Sequence, residues 1–558
     1  MPGGDGLKTV TAYHERTKHH YDRQAASLGY LDWANQPNPF RRYDGTPLIS
    51  LPMPPLGRDL PFWKLYAPGE IASEPLTLES LSLFFRYSLS LTAWKSIADS
   101  SWALRANPSS GNLHPTEGYA ILPPVADISG DAGVYHYAPK EHALEQRKII
   151  DPSIWKAGMS PLPSGSFLVG LSSVYWREAW KYGERAFRYC QHDVGHAIGS
   201  LRFAAAALGW KLTLIEEIDD QTLARAMGLD RVGDYGEAER ENPEMLALVT
   251  PGAEKPTGYA AISPTGPSLR EALQAFSAGL WKGTANRLST THAADWSVID
   301  EVALASQNMG NKIQEDLSGF PTEGELYSQP IRSGGFSAEK VILGRRSAVS
   351  MDGKTGLSRE AFYRMMARVC PSREGLPPWD ALPWRPRVHL GVFVHRVEGL
   401  EPGLYALVRD RAKTETLRKA FRKEIEWTIP PDCPPGLSLY LLQEADMRGW
   451  AAGVSCGQNI AGDGAFSLGM IAEFKESLKT YGPFFYRNLF WEAGLIGQVL
   501  YLEAEEAGIR ATGIGCYFDD PVHDLFGLMS GEFQSLYHFT VGGPVEDKRL
   551  TTLPAYQS

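Results

Sequence analysis

Tyr182-Gly183-Glu184-Arg185-Ala186-Phe187-Arg188 is echoed later in the chain by Tyr481-Gly482-Pro483-Phe484-Phe485-Tyr486-Arg487. Gly183 and Gly482 lie 299 positions apart, and so do Arg188 and Arg487, Gly195 and Gly494, Leu201 and Leu500, Ala205 and Ala504, and Gly209 and Gly508. Unrelated helices do not share six identities at one fixed offset without a gap. The residues between, Asp193 to Leu208 and Glu492 to Ala507, are rich in helix formers, with apolar residues at helical spacing. The glycine near the end of each suits a helix C-cap. Each half is therefore expected to hold a long, largely buried helix in the same place. The small residues Ala204 to Ala207, Gly494 and Gly497 would let the two helices pack together.

Fainter echoes surround this pair. Gly133-Val134-Tyr135 and Gly403-Leu404-Tyr405 each open a β-type run, and Gly118 to Leu122 and Val388 to His395 read as the strands before them. The helix expected over Leu78–Phe85 matches Arg359–Met366 at an offset of 281, with Ser358 as N-cap of the second. Residues 251–268, with Pro, Gly, Ala and Thr and little periodicity, read as a linker. The copies would then cover 59–250 and 269–558, and the proline-rich residues 1–58 would form an irregular arm on the first copy.

Composition agrees with two domains. A chain of 558 residues exceeds one ordinary core, and two units of about 250 residues are the natural division. A net charge of −10 without a basic face argues against nucleic acid or an anionic membrane as partner. No uncharged apolar run of about 18 residues marks a membrane span, and the N-terminus lacks a signal-peptide pattern. Cys190, Cys370, Cys433, Cys456 and Cys516 are odd in number, widely spaced and free of C-x-x-C, which reads as free thiols in a reducing cytoplasm. His192 and His196 have i, i+4 spacing but no third ligand, so no metal site is expected. Ser455-Cys456-Gly457 offers a thiol without a recognisable base and reads as a loop.

Three short blocks carry chemistry. Arg345-Arg346-Ser347 supplies two guanidinium forks and a hydroxyl, the donor set that a phosphate dianion takes. Arg105-Ala106-Asn107-Pro108-Ser109-Ser110-Gly111-Asn112-Leu113-His114-Pro115 combines stiff polar side chains with a glycine that permits close backbone approach. Gly513-Ile514-Gly515 follows the second long helix and can aim backbone N–H groups at a ligand edge. Asp519-Asp520-Pro521 then reads as an N-cap with Pro at N1, opening a further helix.

Together these blocks resemble the flavin-contacting segments of the nitroreductase-like flavoproteins, closest to the SagB-type dehydrogenase branch, and the resemblance runs over nearly the whole chain. It implies an α+β fold: two tandem nitroreductase-like domains forming an intramolecular pseudo-dimer, each a mainly antiparallel sheet flanked by helices. It implies FMN as cofactor, held by Arg105, Pro108, Ser109, Ser110, Gly111 and Asn112 from the first half. Arg345, Arg346, Ser347, Gly513, Ile514, Gly515 and the tail pair Lys548-Arg549 would hold it from the second. Lys181 and Tyr182 fall where azoline-oxidising relatives carry a Lys-Tyr pair for proton removal; the second half has Thr480-Tyr481.

The implied activity is FMN-dependent oxidoreduction, such as azoline to azole in a modified peptide, with NAD(P)H or O2 as co-substrate and a cyclodehydratase as partner. An NAD(P)H-driven nitro or quinone reductase, and a peptide-binding protein that has lost catalysis, remain as alternatives. One FMN per chain is expected. The counterpart of Arg345-Arg346-Ser347 is Lys64-Leu65-Tyr66, that of the Pro108 loop is Cys370-Pro371-Ser372-Arg373-Glu374-Gly375, and Trp210-Lys211-Leu212-Thr213 stands where the second half reads Gly-Ile-Gly.

Overall fold

A computed structural model describes residues 3–67, 69–159, 162–252, 267–313, 315, 319–327, 335–528 and 530–556. Most of the expected linker over 251–268 lies outside the described residues. The N-terminal arm opens with helix α1 (Gly3–Arg16), followed by strand β1 (Leu48–Ser50). Helix α2 (Leu78–Ser88) leads into the hairpin β2 (Leu91–Ile97) and β3 (Ser100–Arg105). Next come β4 (Thr116–Leu122), β5 (Gly133–Ala138), β6 (Ala143–Ile149) and β7 (Phe167–Ser173). Helices α3 (Tyr175–Tyr182) and α4 (Ala186–Ala207), strand β8 (Lys211–Leu214), helix α5 (Asp220–Met227) and strand β9 (Asn242–Thr250) complete the first half.

The second half repeats the order. After α6 (Ala338–Gly344) and α7 (Arg359–Arg368) come β10 (Val388–Val394), β11 (Gly403–Leu407), β12 (Leu439–Glu444) and β13 (Phe466–Ala472). Then follow α8 (Phe474–Tyr481), α9 (Phe485–Glu506), β14 (Arg510–Ile514), α10 (Asp519–Phe526), β15 (Gln534–Gly542) and a last strand, β16 (Thr551–Leu553).

The first sheet runs β1-β6-β5-β4-β7-β9-β8 and the second β12-β11-β10-β13-β15-β14, so apart from β1 the strand orders coincide. The pairs within both sheets are antiparallel. The offset of 299 extends beyond the quoted motif: β7, α3, α4 and α5 begin and end 299 positions before β13, α8, α9 and α10. Caps follow the same plan. Thr77 and Ser358, both N-caps, accept from the backbone N–H three residues on, and Gly209 and Gly508 take positive φ just beyond α4 and α9.

All of α4 is buried, and so is α9 apart from its last two residues. A helix apolar enough to be covered all round belongs between layers. These two pack on their own sheets and on each other. They approach closely at Gly195 and Gly494: a Cβ on Gly195 would lie 2.9 Å from Gly494 Cα and would be driven into the Trp491 carbonyl oxygen. Backbone cannot step aside as a side chain can, so Gly195→Ala or Gly494→Ala is expected to cost about 3 kcal/mol, the upper end of overpacking effects. Urea unfolding of the pure variants checks this.

Two expectations change here. The N-terminal arm is not irregular throughout, since α1 is helical, and it reaches both halves: Tyr13 donates to the Glu184 carbonyl oxygen, while His14 meets Gln534 and Lys18 pairs with Asp520. The helix expected to open with an Asp N-cap starts at Asp519 itself, with Phe518 at the cap. The Asp519 carboxylate is already engaged by Arg185, Arg188 and the His19 N–H, which leaves it no role as a cap.

Candidate functional site

The C-terminal strand β16 leaves its own half and pairs with β2 of the first. Beneath this crossing lies a cavity of about 700 Å³ walled by both halves. The first half contributes the Arg105–His114 loop and Tyr189, Asp193 and His196 of α4. The second contributes the Gly344–Val349 turn, Tyr501 of α9, the end of β14 through Cys516, and Tyr537 of β15.

Position in the fold explains the cationic corner. Arg345 follows the end of α6, and Ser347 forms a bridge with Ala511, laying the triplet along β14. Arg345 is buried; its Nε donates to the Ala106 carbonyl and its Nη2 to the Arg105 carbonyl, fastening the first-half loop to the second half. Its Nη1 is buried without a hydrogen-bond partner. Burial lowers the pKa of Arg345, and burial together with the neighbouring Arg345 charge brings Arg346 down to about 10. Arg510 adds a third guanidinium, only partly offset by Glu505 at 3.0 Å. Concentrated positive charge with a free donor is an arrangement that an anion would stabilise. Ser347 Oγ lies 2.9 Å from the Tyr501 hydroxyl, which also receives the Gly513 N–H at 3.0 Å.

Glycines shape the opposite wall. Gly111 and Asn112 both take left-handed φ of 58°, tightening the turn after Ser110. A Cβ on Gly111 would lie 2.6 Å from the Tyr182 hydroxyl and 3.2 Å from Lys181 Nζ; on Gly515 it would strike the Tyr189 ring. The serine hydroxyls anchor the loop: Ser110 donates to Asp193 of α4 through both N–H and Oγ, each at 3.0 Å, and Ser109 Oγ accepts from the His114 N–H within the loop at 2.8 Å. Asn112 Nδ2 donates to the Ala103 carbonyl.

Asp193 is the side chain on this wall that titrates near neutrality. Burial pushes its carboxyl up to about 7 despite hydrogen bonds from Ser109 and Ser110. Behind it Glu178 is buried with both oxygens unpaired, and burial followed by the nearby Asp193 charge raises its pKa. Tyr182, packed 4.4 Å from Tyr189 ring to ring, has its phenol raised by burial, so it stays protonated at neutral pH.

Lys181 and Tyr182 thus converge on Gly111 at the cavity edge, although Tyr182 alone of the two lines it. Arg105 is turned toward the Pro39 and Thr116 carbonyls, so its backbone oxygen, rather than its fork, reaches Arg345. Lys548 and Arg549 do not line the cavity; Arg549, 77% exposed, is held by Asp547 two residues earlier. The tail instead supplies Pro544 to Asp547, Leu550 and Thr552, the last receiving Lys95 Nζ at 2.6 Å. Sequence reading missed Asp193, Tyr189, Tyr501, Tyr537 and Cys516. Asp193 gave a signal, a carboxylate inside a helix expected to be buried; Tyr501 and Tyr537 look like core residues. His192 and His196 meet the Leu536 carbonyl and the Tyr537 hydroxyl.

Among the described residues, the pocket lined by Leu214, Ile215, Glu216 and Asn488, which the repeat sets opposite part of this cavity, holds about 20 Å³, close to the space one water needs. By the offset of 299, Gly513-Ile514-Gly515 corresponds to Leu214-Ile215-Glu216, not to Trp210-Lys211-Leu212-Thr213. The side chains of Leu214 and Glu216 occupy what the glycines leave open, and Asn488 donates to Glu216 at 3.0 Å. Leu65 and Tyr66 of the Lys64-Leu65-Tyr66 counterpart are buried in the core, with the Tyr66 ring beneath Arg368. Glu374 of the other counterpart accepts from the Glu323 N–H.

Residues 95–237 match a model described as the Nitroreductase family. The trifolitoxin-processing protein TfxB of Rhizobium leguminosarum bv. trifolii is 29% identical over 165 residues, covering 28% of this chain and 44% of TfxB, so the match spans less than half of that relative. A Methanocaldococcus jannaschii protein named "putative nitroreductase" is 28% identical over 148 residues, covering 25% of this chain and 68% of its own. The crystal structure of a "putative nitroreductase" from Anabaena variabilis superposes with a TM-score of 0.66 at 21% identity, over 96% of this chain and 99% of the other. The nitroreductase fold therefore extends through both halves, while the family match covers the first. Among the described residues no helix is long and apolar enough to cross a membrane.

Proposed function

We propose that this chain is an FMN-dependent oxidoreductase of the SagB-type branch, built from two fused nitroreductase-like copies and acting on a modified peptide. The observation that carries the reading is the cavity between the halves, with the unpaired Arg345 Nη1 in its cationic corner. FMN brings a phosphate dianion, a flat ring and a polar ring edge. Arg345, Arg346 and Ser347 suit the first, Tyr189, Tyr501 and Tyr537 the second, and the backbone at Gly515, beyond the Gly513 N–H that Tyr501 takes, the third. When bound, FMN would supply a two-electron acceptor and donor at the reacting centre.

Oxidation of an azoline to an azole removes two electrons and two protons from the substrate, so a base beside the reacting ring is needed. Asp193, titrating near 7, is suited to take a proton, and the protonated Tyr182 to orient the substrate by donating a hydrogen bond. Lys181 adds a positive charge at the same edge. The likeness to TfxB favours a peptide substrate and a partner of the cyclodehydratase class; NAD(P)H or O2 would complete the electron balance. The likeness to the Methanocaldococcus protein favours a second reading, an NAD(P)H-driven reductase of nitro compounds or quinones.

The pure protein should absorb at the usual flavin bands. Flavin released by denaturation should approach one equivalent per chain, because Leu214 and Glu216 stand where Gly513 and Gly515 open the cavity, and the pocket beside them has room for little more than a water. A value near two would refute the single-site reading. A colourless protein that takes up no FMN would refute the oxidoreductase and leave a peptide-binding role. NAD(P)H consumption with a quinone, without turnover of azoline peptides, would select the reductase.

A further inference from the structure

Cys456 and Cys516 are sixty positions apart, yet their Sγ atoms lie 2.6 Å from each other. Two short segments are laced together around them. The Phe518 N–H donates to the Val454 carbonyl at 2.8 Å, and Gln458 Nε2 donates to the carbonyls of Ser455 and Cys516. Cys456 takes a left-handed φ of 55°, a conformation that residues with a Cβ seldom adopt, followed by Gly457 at 72°. Both thiols are partly exposed, and Cys516 belongs to the cavity wall directly after Gly515. The pair is thus held by two independent loops, one of them a wall of the cavity, and is open to small molecules.

We propose that Cys456 and Cys516 form a reversible dithiol–disulfide couple at the cavity rim, closed by low-molecular-weight disulfides and reopened by the corresponding thiols. The proposal does not depend on what the cavity binds. In the closing reaction the Cys516 thiolate attacks one sulfur of a disulfide RSSR, forming a mixed disulfide and releasing the first RSH with the Cys516 proton. Cys456 then attacks Cys516 Sγ; the second RSH leaves with the Cys456 proton, and the protein holds an S–S bond. RSSR is reduced by two electrons and the cysteine pair oxidised by two. Cys516 suits the attacking role, because it lines the cavity directly after Gly515 while Cys456 does not, and the contact with Cys456 lowers its pKa. Closure would tie the Gly513–Cys516 wall covalently to the 454–458 loop.

The full chain is equilibrated with graded ratios of oxidised to reduced glutathione, alkylated under denaturing conditions and digested without reductant. The peptide containing Cys456 should appear joined to that containing Cys516, two hydrogens lighter than their sum, in a fraction that rises and falls with the ratio. Cys190, Cys370 and Cys433 should remain alkylated. Cys456→Ser should accumulate one glutathione on Cys516, and Cys516→Ser should take up at least tenfold less on Cys456. Circular dichroism confirms that each variant is folded, and Cys456→Ala provides a second version of the trap. The proposal fails if Cys516 captures glutathione in the Cys456 variants while the wild type forms no link. It also fails if Cys516 captures none in any folded variant, or if the link forms but reduced glutathione cannot reopen it.

Discussion

Arg345→Ala is expected to weaken FMN binding by about 10²–10³-fold, the largest single loss of affinity in the chain. The buried guanidinium has one nitrogen without a partner, and a charge-assisted hydrogen bond to an ionised group contributes about 1.5–3 kcal/mol. Two such bonds to one phosphate at the weaker end, about 1.5–2 kcal/mol each, account for the range, at about tenfold per 1.4 kcal/mol. Arg345→Lys should recover little, since a point charge cannot donate to the Arg105 and Ala106 carbonyls while also forking to a phosphate. Arg346→Ala should cost only about tenfold, because Thr92 and the Leu343 and Arg345 carbonyls already take up its Nη1 and Nη2 donors. Fluorescence titration of the flavin-free variants gives these affinities, and urea unfolding separates them from the loss of the inter-half hydrogen bonds. An Arg345→Ala protein that binds FMN as tightly as wild type would move the phosphate elsewhere.

The repeat was legible in the sequence because its longest shared stretch contains no insertion. From Phe167 to Met227 one offset carries every helix and strand onto its counterpart, so identities at Gly183, Arg188 and Gly195 stayed in phase. Before Phe167 the loops differ in length: α2 and α7 are 281 apart, β4 and β10 only 272. Within the stretch that keeps 299, Gly513-Ile514-Gly515 fall on Leu214-Ile215-Glu216, four residues beyond the start of Trp210-Lys211-Leu212-Thr213, a pairing that the replacement of both glycines hides. The cavity was harder to read. Arg345 and the Ser109–Gly111 loop announced themselves as polar residues in short dense blocks. Tyr501 and Tyr537 come from a buried helix and a central strand, where an aromatic is the ordinary core residue. The tail pair Lys548-Arg549 misled because charge alone does not reveal direction, and Asp547 was near enough to claim Arg549.

The second large effect is expected at the proton-handling edge. Lys181→Ala or Tyr182→Phe should lower turnover by about 10²–10⁴-fold, the range for groups that serve a proton transfer, here through a charge and a hydrogen bond beside Asp193, while FMN content changes little. Neither residue touches the cationic corner, whereas both converge on Gly111. Because burial keeps the Tyr182 phenol protonated, the pH dependence should follow Asp193: oxidation should rise as pH passes about 7, where its carboxyl becomes a base. Asp193→Asn should abolish that rise as well as most of the rate. Stability must move the opposite way. A carboxyl raised from 3.8 to about 7 by folding binds a proton in the native state that the unfolded chain has already lost, so its effect on stability is absent below pH 4. The penalty grows as pH climbs from about 4 to 7 and is complete above that. Asp193→Asn should accordingly gain stability relative to wild type between pH 5 and pH 8, measured by urea midpoints at the two values. A variant that loses turnover but shows no such pH-dependent gain would mean that Asp193 is ionised in the folded protein throughout that range and does not set the pH dependence.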